Sequence, residues 1–175
     1  MPKTRRAMLK NKSATTSKVA PHIAGSPLAT YTPHPQRLGS ERSILSALLA
    51  QPEFSSDMEI VNLIHNRIPV SVVDRLIEEG VTRQEIELVA PTRTLAHRRA
   101  KAEPLTVEES DRAVRLARII SQTESVFDNK DKAMHWLRQQ MLRFEGKTPI
   151  EMLATDVGSR MVEEALVQID EGFFA

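Results

Sequence analysis

The chain contains no cysteine, which excludes disulfides, thiolate zinc sites, iron–sulfur clusters and cysteine nucleophiles. Glycine is scarce, 6 in 175 residues, and neither a GxGxxG nor a GxxxxGKS/T phosphate loop occurs. No apolar run reaches the roughly 18 residues of a bilayer-spanning helix. The first thirty residues also lack the apolar core of a secretory signal, so a cytoplasmic location is expected. Sustained period-two alternation and hairpin dipeptides such as Asn-Gly are missing as well, which argues against a sheet. What is present is a soluble balance of 41% hydrophobic and 27% charged residues, enough for one ordinary domain or two small ones.

Acid is missing from residues 1–40 altogether. That stretch carries a net charge of +7, followed by −4 over 41–80, +3 over 81–101, zero over 102–148 and −5 over 149–175. The overall +1 conceals this asymmetry. A basic arm, a compact basic segment and an acidic end fit two partners, one rich in phosphate and one a basic protein surface. Residues 1–40 also hold half of the ten prolines (Pro2, Pro21, Pro27, Pro33, Pro35) and no periodic hydrophobics, the composition of a flexible arm. Its prolines oppose the amphipathic helix of a mitochondrial presequence, which the composition otherwise imitates.

From Glu41 onward the pattern is helical. Ile44, Leu45, Leu48 and Leu49 mark one face of a first helix ending near Pro52, and Met58, Val61, Leu63, Ile64 and Ile68 mark a second. A third opens at Pro69, turns Val72, Val73, Leu76 and Ile77 inward and stops at Gly80. Thr82-Arg-Gln-Glu85, Thr106-Val-Glu-Glu109 and Thr148-Pro-Ile-Glu151 are capping boxes, each opening a helix. The second of these helices is long, to about Phe127, with Ala113, Leu116, Ala117 and Ile120 inward. A further helix is expected from about Asn129 to Leu142, burying Ala133, Met134, Leu137 and Met141. A last one, from about Asp156 to Gly172, is expected to turn Val157, Met161, Ala165 and Ile169 inward. The expected fold class is therefore all-α.

Residues 70–101 spell helix, Gly80, capped short helix, an Ala90-Pro91 turn and a basic helix, which is the layout of a helix-turn-helix. With Leu95 inward, Thr92, Arg93, Thr94, His97 and Arg98 are the candidates to face a major groove. Arg93 and Arg98 are suited to guanine edges, and the threonines to a base edge or a thymine methyl. Arg99, Lys101, Arg83 and Gln84 are placed for phosphates. A solvated basic face is the competing reading of the same helix.

The acidic end combines Glu163, Glu164, Asp170 and Glu171 with Phe173, Phe174 and the Ala175 carboxylate. The two aromatics either fill the protein's own core or anchor a partner in the manner of a binding hot spot. Trp136 is assigned to the core. No catalytic set can be assembled: the five histidines are scattered, HExxH and GxSxG are absent, and Glu/Asp neighbours diverge by about 100° on a helix. Neither enzymatic activity, a metal nor a cofactor is expected.

Six blocks in unbroken order resemble a known family: Gly80-Val-Thr-Arg-Gln-Glu-Ile, Arg93-Thr-Leu-Ala-His-Arg-Arg99, the run Leu105–Ile119, Ala133-Met-His-Trp-Leu-Arg138, Gly146-Lys-Thr-Pro-Ile-Glu-Met-Leu153 and Ile169-Asp-Glu-Gly-Phe-Phe174. Together they resemble the Xre/MbcA/ParS antitoxins of bacterial toxin–antitoxin modules. The resemblance implies an Xre/Cro-like helix-turn-helix over 41–121 that binds operator DNA as a homodimer and represses its own operon. It implies a toxin-binding domain over 122–175 that covers the cleft of a RES-domain, NAD-degrading toxin. On this reading Lys147, Glu164, Ile169, Asp170, Glu171, Phe173, Phe174 and Ala175 meet the toxin, and Arg138 and Trp136 belong to a structural block. The protein would be cytoplasmic and nucleoid-associated when on its operator. The alternative is a stand-alone dimeric regulator without a toxin partner.

Overall fold

The structure is a computed structural model in which residues 35–172 are described, and its elements there are all helical. Helix α1 (Pro35–Leu48) starts inside the stretch read as an arm, with proline at its opening position, where a fixed φ and a missing N–H are compatible with a first turn. It buries Leu45, Leu48 and Leu49. Helix α2 (Asp57–His65) carries no fully buried side chain, and Met58 and Val61, expected inward, lie exposed.

Helix α3 (Ser71–Glu78) turns Val72, Val73 and Leu76 into the core as the pattern predicts. It closes in a Schellman motif: Gly80, at φ 98°, donates its N–H to the Ile77 carbonyl, and Val81 donates to that of Leu76. The capping boxes at Thr82, Thr106 and Thr148 all form, opening α4 (Arg83–Ile86), α6 (Val107–Phe127) and α8 (Pro149–Met152). Between them α5 (Thr92–Lys101) follows Pro91, with Leu95 buried.

Helix α6 is the axis of the fold. It packs against α1, α2, α7 (Lys130–Leu137) and α9 (Asp156–Asp170), and ten of its 21 residues are buried. Its buried hydroxyls are satisfied locally or across the core: Thr123 Oγ1 donates to the Ile119 carbonyl at 2.6 Å, and Ser110 Oγ accepts from Ile68 N–H at 3.0 Å. One cluster of buried side chains runs from Leu45 through Leu76, Leu95, Leu116 and Ile120 to Leu137 and Leu166. Position 121, where the two expected domains meet, falls within α6.

Two further expectations are corrected. The helix expected to reach Leu142 ends at Leu137, and a 3-10 turn, Leu142–Phe144, takes over. Phe144 occupies the core there, while Met141 is half-buried and Leu142 lies in water. In α9 the inward face is Gly158, Ser159, Val162, Ala165 and Leu166, and Val157 and Met161 are exposed. Gly158 is required by close approach: a Cβ there would lie 2.0 Å from the Met152 carbonyl oxygen.

Candidate DNA-binding and protein-binding surfaces

The three helices of the expected DNA reader are set by local chemistry. The α3 stop at Gly80 and the Thr82 box fix α4, and Ile86, Val89 and Ala90 are buried, which holds the Ala90-Pro91 turn against the core. Pro91 then directs α5 across the surface so that Thr92, Arg93, His97, Arg99 and Lys101 are exposed, with Thr94 half-buried. Arg83 and Gln84, on the first turn of α4, are exposed too. Arg83, Thr92 and Arg99 line one hollow of about 270 Å3 with Asp74, which brings two of the phosphate candidates, Arg83 of α4 and Arg99 of α5, to a common face.

Within that face the cations are not equivalent. Arg83, Arg93 and Lys101 make no ion pair with any described residue. Arg99 is held by Asp74, Nη2 to Oδ1 at 2.5 Å, with both side chains substantially exposed. Thr92 Oγ1 donates to Glu87 at 3.3 Å.

Arg98 departs from expectation altogether. Instead of facing a groove, its side chain is 14% exposed and lies between α5 and α6, Nε 2.8 Å from Glu109 Oε2. Nη2 donates to Glu109 Oε1 at 3.2 Å and Nη1 to the Pro104 carbonyl at 3.2 Å. Glu109 is 8% exposed and also accepts the Thr106 N–H of its own capping box at 2.8 Å. A buried carboxylate requires a paired cation, and Arg98 supplies it, so this residue is removed from the set of base readers.

The expected toxin-binding residues are only partly brought together. Lys147, Glu164 and Glu171 are exposed, and Ile169 and Asp170 are half-buried along the outer end of α9. Phe173, Phe174 and Ala175 lie outside the described residues, as does the basic stretch 1–34. Trp136, assigned to the core from the sequence, is half-buried at its edge, tilted against Phe127 at 5.8 Å between ring centroids.

Arg138, read from the sequence as structural, joins the two halves. Its Nε and Nη2 donate to Glu85 at 2.7 and 2.9 Å, and Nη2 also reaches the Gly80 carbonyl at 2.8 Å. Burial pushes the Glu85 carboxyl up, but the Arg138 guanidinium and the Thr82 cap outweigh it and hold the group below the ordinary carboxylate range. Lys130 pairs with Glu79 at 2.5 Å beside it. Sequence patterning could not find either bridge, because the partners are 53 and 51 residues apart.

Comparison with known proteins assigns the two segments to families. Residues 59–118 match the antitoxin Xre-like helix-turn-helix domain, and residues 122–172 match the antitoxin Xre/MbcA/ParS C-terminal toxin-binding domain. The chain is 44% identical over 133 residues to an Antitoxin Xre of Pseudomonas putida, an alignment covering 75% of this chain and 84% of that protein. It is 29% identical over 133 residues to a Prs ADP-ribosylating antitoxin of Sphingobium, covering 69% and 84%. An Antitoxin Xre of Yersinia enterocolitica is 22% identical over 141 residues, covering 80% and 89%. With the helix-turn-helix match on α2–α6 and the toxin-binding match on α6–α9, the chain belongs to the Xre/MbcA/ParS family of antitoxins.

Proposed function

We propose that this antitoxin neutralises a RES-class, NAD-degrading toxin by covering its active-site cleft, and represses the operon encoding both proteins. It acts by binding and not by catalysis, and it functions in the cytoplasm, on the nucleoid when DNA-bound. The observation that carries this reading is the union in one chain of a helix-turn-helix segment, matched over residues 59–118, and a toxin-binding segment, matched over residues 122–172.

On the DNA side, Arg93 and His97 approach base edges while Thr92 and Thr94 make flanking contacts. Arg83, Gln84 and Lys101 hold phosphates, and Arg99 joins them by exchanging Asp74 for a phosphate oxygen. On the toxin side, Lys147, Glu164, Ile169, Asp170 and Glu171 lie in the contact with Phe173, Phe174 and Ala175. On this reading α2 is the self-association surface, supported by the exposure of Met58 and Val61 and by the groove of about 550 Å3 that Val61 lines between α2 and α6. Analytical ultracentrifugation of Val61→Asp checks it: a homodimer that persists unchanged removes α2 from the interface.

Co-expression with the neighbouring toxin gene is the decisive experiment. The full chain is expected to restore growth and NAD levels, and a chain lacking 172–175 to do so less well. Loss of operator binding in Arg93→Ala, by about 1–3 kcal/mol, is expected to leave that rescue intact. A chain that binds DNA but neither captures nor neutralises the toxin would support the stand-alone regulator instead.

A further inference from the structure

The turn between α7 and α8 exposes an apolar side chain more fully than any other large hydrophobic among the described residues. Leu142 is 98% exposed, against 64% for Met58 and Val157. A lone leucine on a surface needs no explanation in itself. Here, however, the backbone beneath it is fixed. Phe144 and Gly146 both donate their N–H groups to the Met141 carbonyl at 3.0 Å, Glu145 donates to the Leu142 carbonyl at 3.0 Å, and Met141 donates to that of Lys147 at 3.1 Å. Glu145 and Gly146 adopt left-handed φ values of 56° and 82° to close the reversal.

The turn is also seated from below. Phe144 is 2% exposed, and the Arg143 guanidinium lies over its ring at 5.6 Å from the centroid while donating to Gln168 of α9 at 2.8 Å. The chain entropy of holding Leu142 in place has therefore been lost in folding, before any partner arrives. Two cations, Arg143 and Lys147, follow it within the same turn, with Glu145 the one acid between them. A preorganised aliphatic knob with a cationic rim complements an apolar socket bordered by carboxylates.

We propose that Leu142 is the anchor of the toxin contact, seated in an apolar depression of the toxin whose acidic border meets Arg143 and Lys147. This rests on the toxin-binding reading above. It is argued from the position of the turn, inside the segment 122–172 that matches the toxin-binding domain, and from the sign of the flanking charge. The turn and the end of α9 are tied by the Arg143–Gln168 bond, so both approach the toxin as one rigid surface.

The test is calorimetric titration of the full-length chain into the purified neighbouring toxin, with melting temperature and operator affinity measured alongside. Leu142→Ala is expected to weaken toxin binding about tenfold to a hundredfold, as for exposing one buried leucine side chain. Leu142→Asp is expected to weaken it further and Leu142→Met to stay within a few-fold of the parent. All three are expected to keep the parent's melting temperature and operator affinity, because the side chain touches nothing in the free fold. Lys147→Glu is expected to slow association. Parent-like binding by Leu142→Ala and Leu142→Asp would overturn the anchor while leaving the toxin reading intact. A change of oligomeric state in Leu142→Asp with unchanged toxin affinity would reassign the residue to self-association and overturn it equally. Failure of the unmodified chain to bind the toxin would sink the toxin reading itself, and the anchor with it.

Discussion

Replacing Arg98 with methionine separates the fold from the DNA surface in a way no other position on α5 does. The substitution keeps the aliphatic length of the side chain and removes its charge, leaving the Glu109 carboxylate, 8% exposed, opposite an apolar group. Breaking a buried ion pair by removing one partner costs about 3–5 kcal/mol. Two features of the structure set the expected value. Glu109 retains the Thr106 N–H at 2.8 Å, which keeps part of its charge compensated, and the Pro104 carbonyl loses the Arg98 donor, which adds a little back. The expected loss is about 2–4 kcal/mol, a fall in melting temperature of about 10 °C for a folded region of this size. Adding Glu109→Gln removes the orphaned charge, so the double variant is expected to recover at least about 1.5 kcal/mol relative to the sum of the single changes. Thermal and urea unfolding followed by circular dichroism supply the numbers, and operator affinity is measured well below the melting range. If Arg98→Met melts like the parent yet loses tenfold or more in operator affinity, Arg98 is a DNA contact after all, and the internal pairing is of no consequence.

Gly158→Ala is expected to destabilise by about 2 kcal/mol or more, because the new methyl meets the Met152 carbonyl oxygen at 2.0 Å and the capped backbone of α8 has little room to retreat. Helix propensity alone predicts the opposite sign by about 1 kcal/mol, so urea unfolding decides which effect dominates. The Arg138–Glu85 bridge gives an acid dependence. The Glu85 carboxyl titrates lower in the folded chain than in the unfolded one, so its stabilisation is complete above the unfolded value and disappears as pH falls through the folded one. Arg138 is more than a third exposed, and solvent screening holds the contribution to about 1 kcal/mol. Arg138→Ala is expected to lower stability at pH 7 by that amount and to flatten the loss on acidification below the unfolded carboxylate range; parallel pH profiles for variant and parent would rule the bridge out as the cause.

The parts of the fold legible in the sequence are those decided within a few residues. The capping boxes at Thr82, Thr106 and Thr148 form because the hydroxyl, the N3 carboxylate and the free N–H groups are all local. Gly80 ends α3 for the same reason. Expectations failed where the deciding partner is distant. Arg98 looks like an outward basic residue until Glu109 is brought across from another helix. A spacing of four drifts 40° per step, so along Val157, Met161, Ala165 and Ile169 the stripe turns about 120°: Ala165 reaches the core as expected, while Val157 and Met161, on the far side of the drift, lie in water. Met141 and Leu142 continue a helical pattern in sequence, but Phe144 fills the core and the chain turns before reaching it. In the candidate sites, exposure of Arg83, Arg93 and Lys101 was readable. The pairing of Arg99 with Asp74 and the display of Leu142 were not, since both depend on tertiary placement.

Helix α6 begins in the segment matched to the helix-turn-helix domain and ends in the segment matched to the toxin-binding domain, without a break across residues 118–122. Among the described residues there is therefore no hinge at the junction of the two matched segments at which they could be parted and each left intact. A protease or denaturant that opens either end strips the apolar lining of the other, so unfolding is expected as a single event and no half-competent fragment accumulates. On the proposed function, destruction of one copy would vacate the promoter and unmask the poison together, and the timing of the two responses would be locked by the backbone itself.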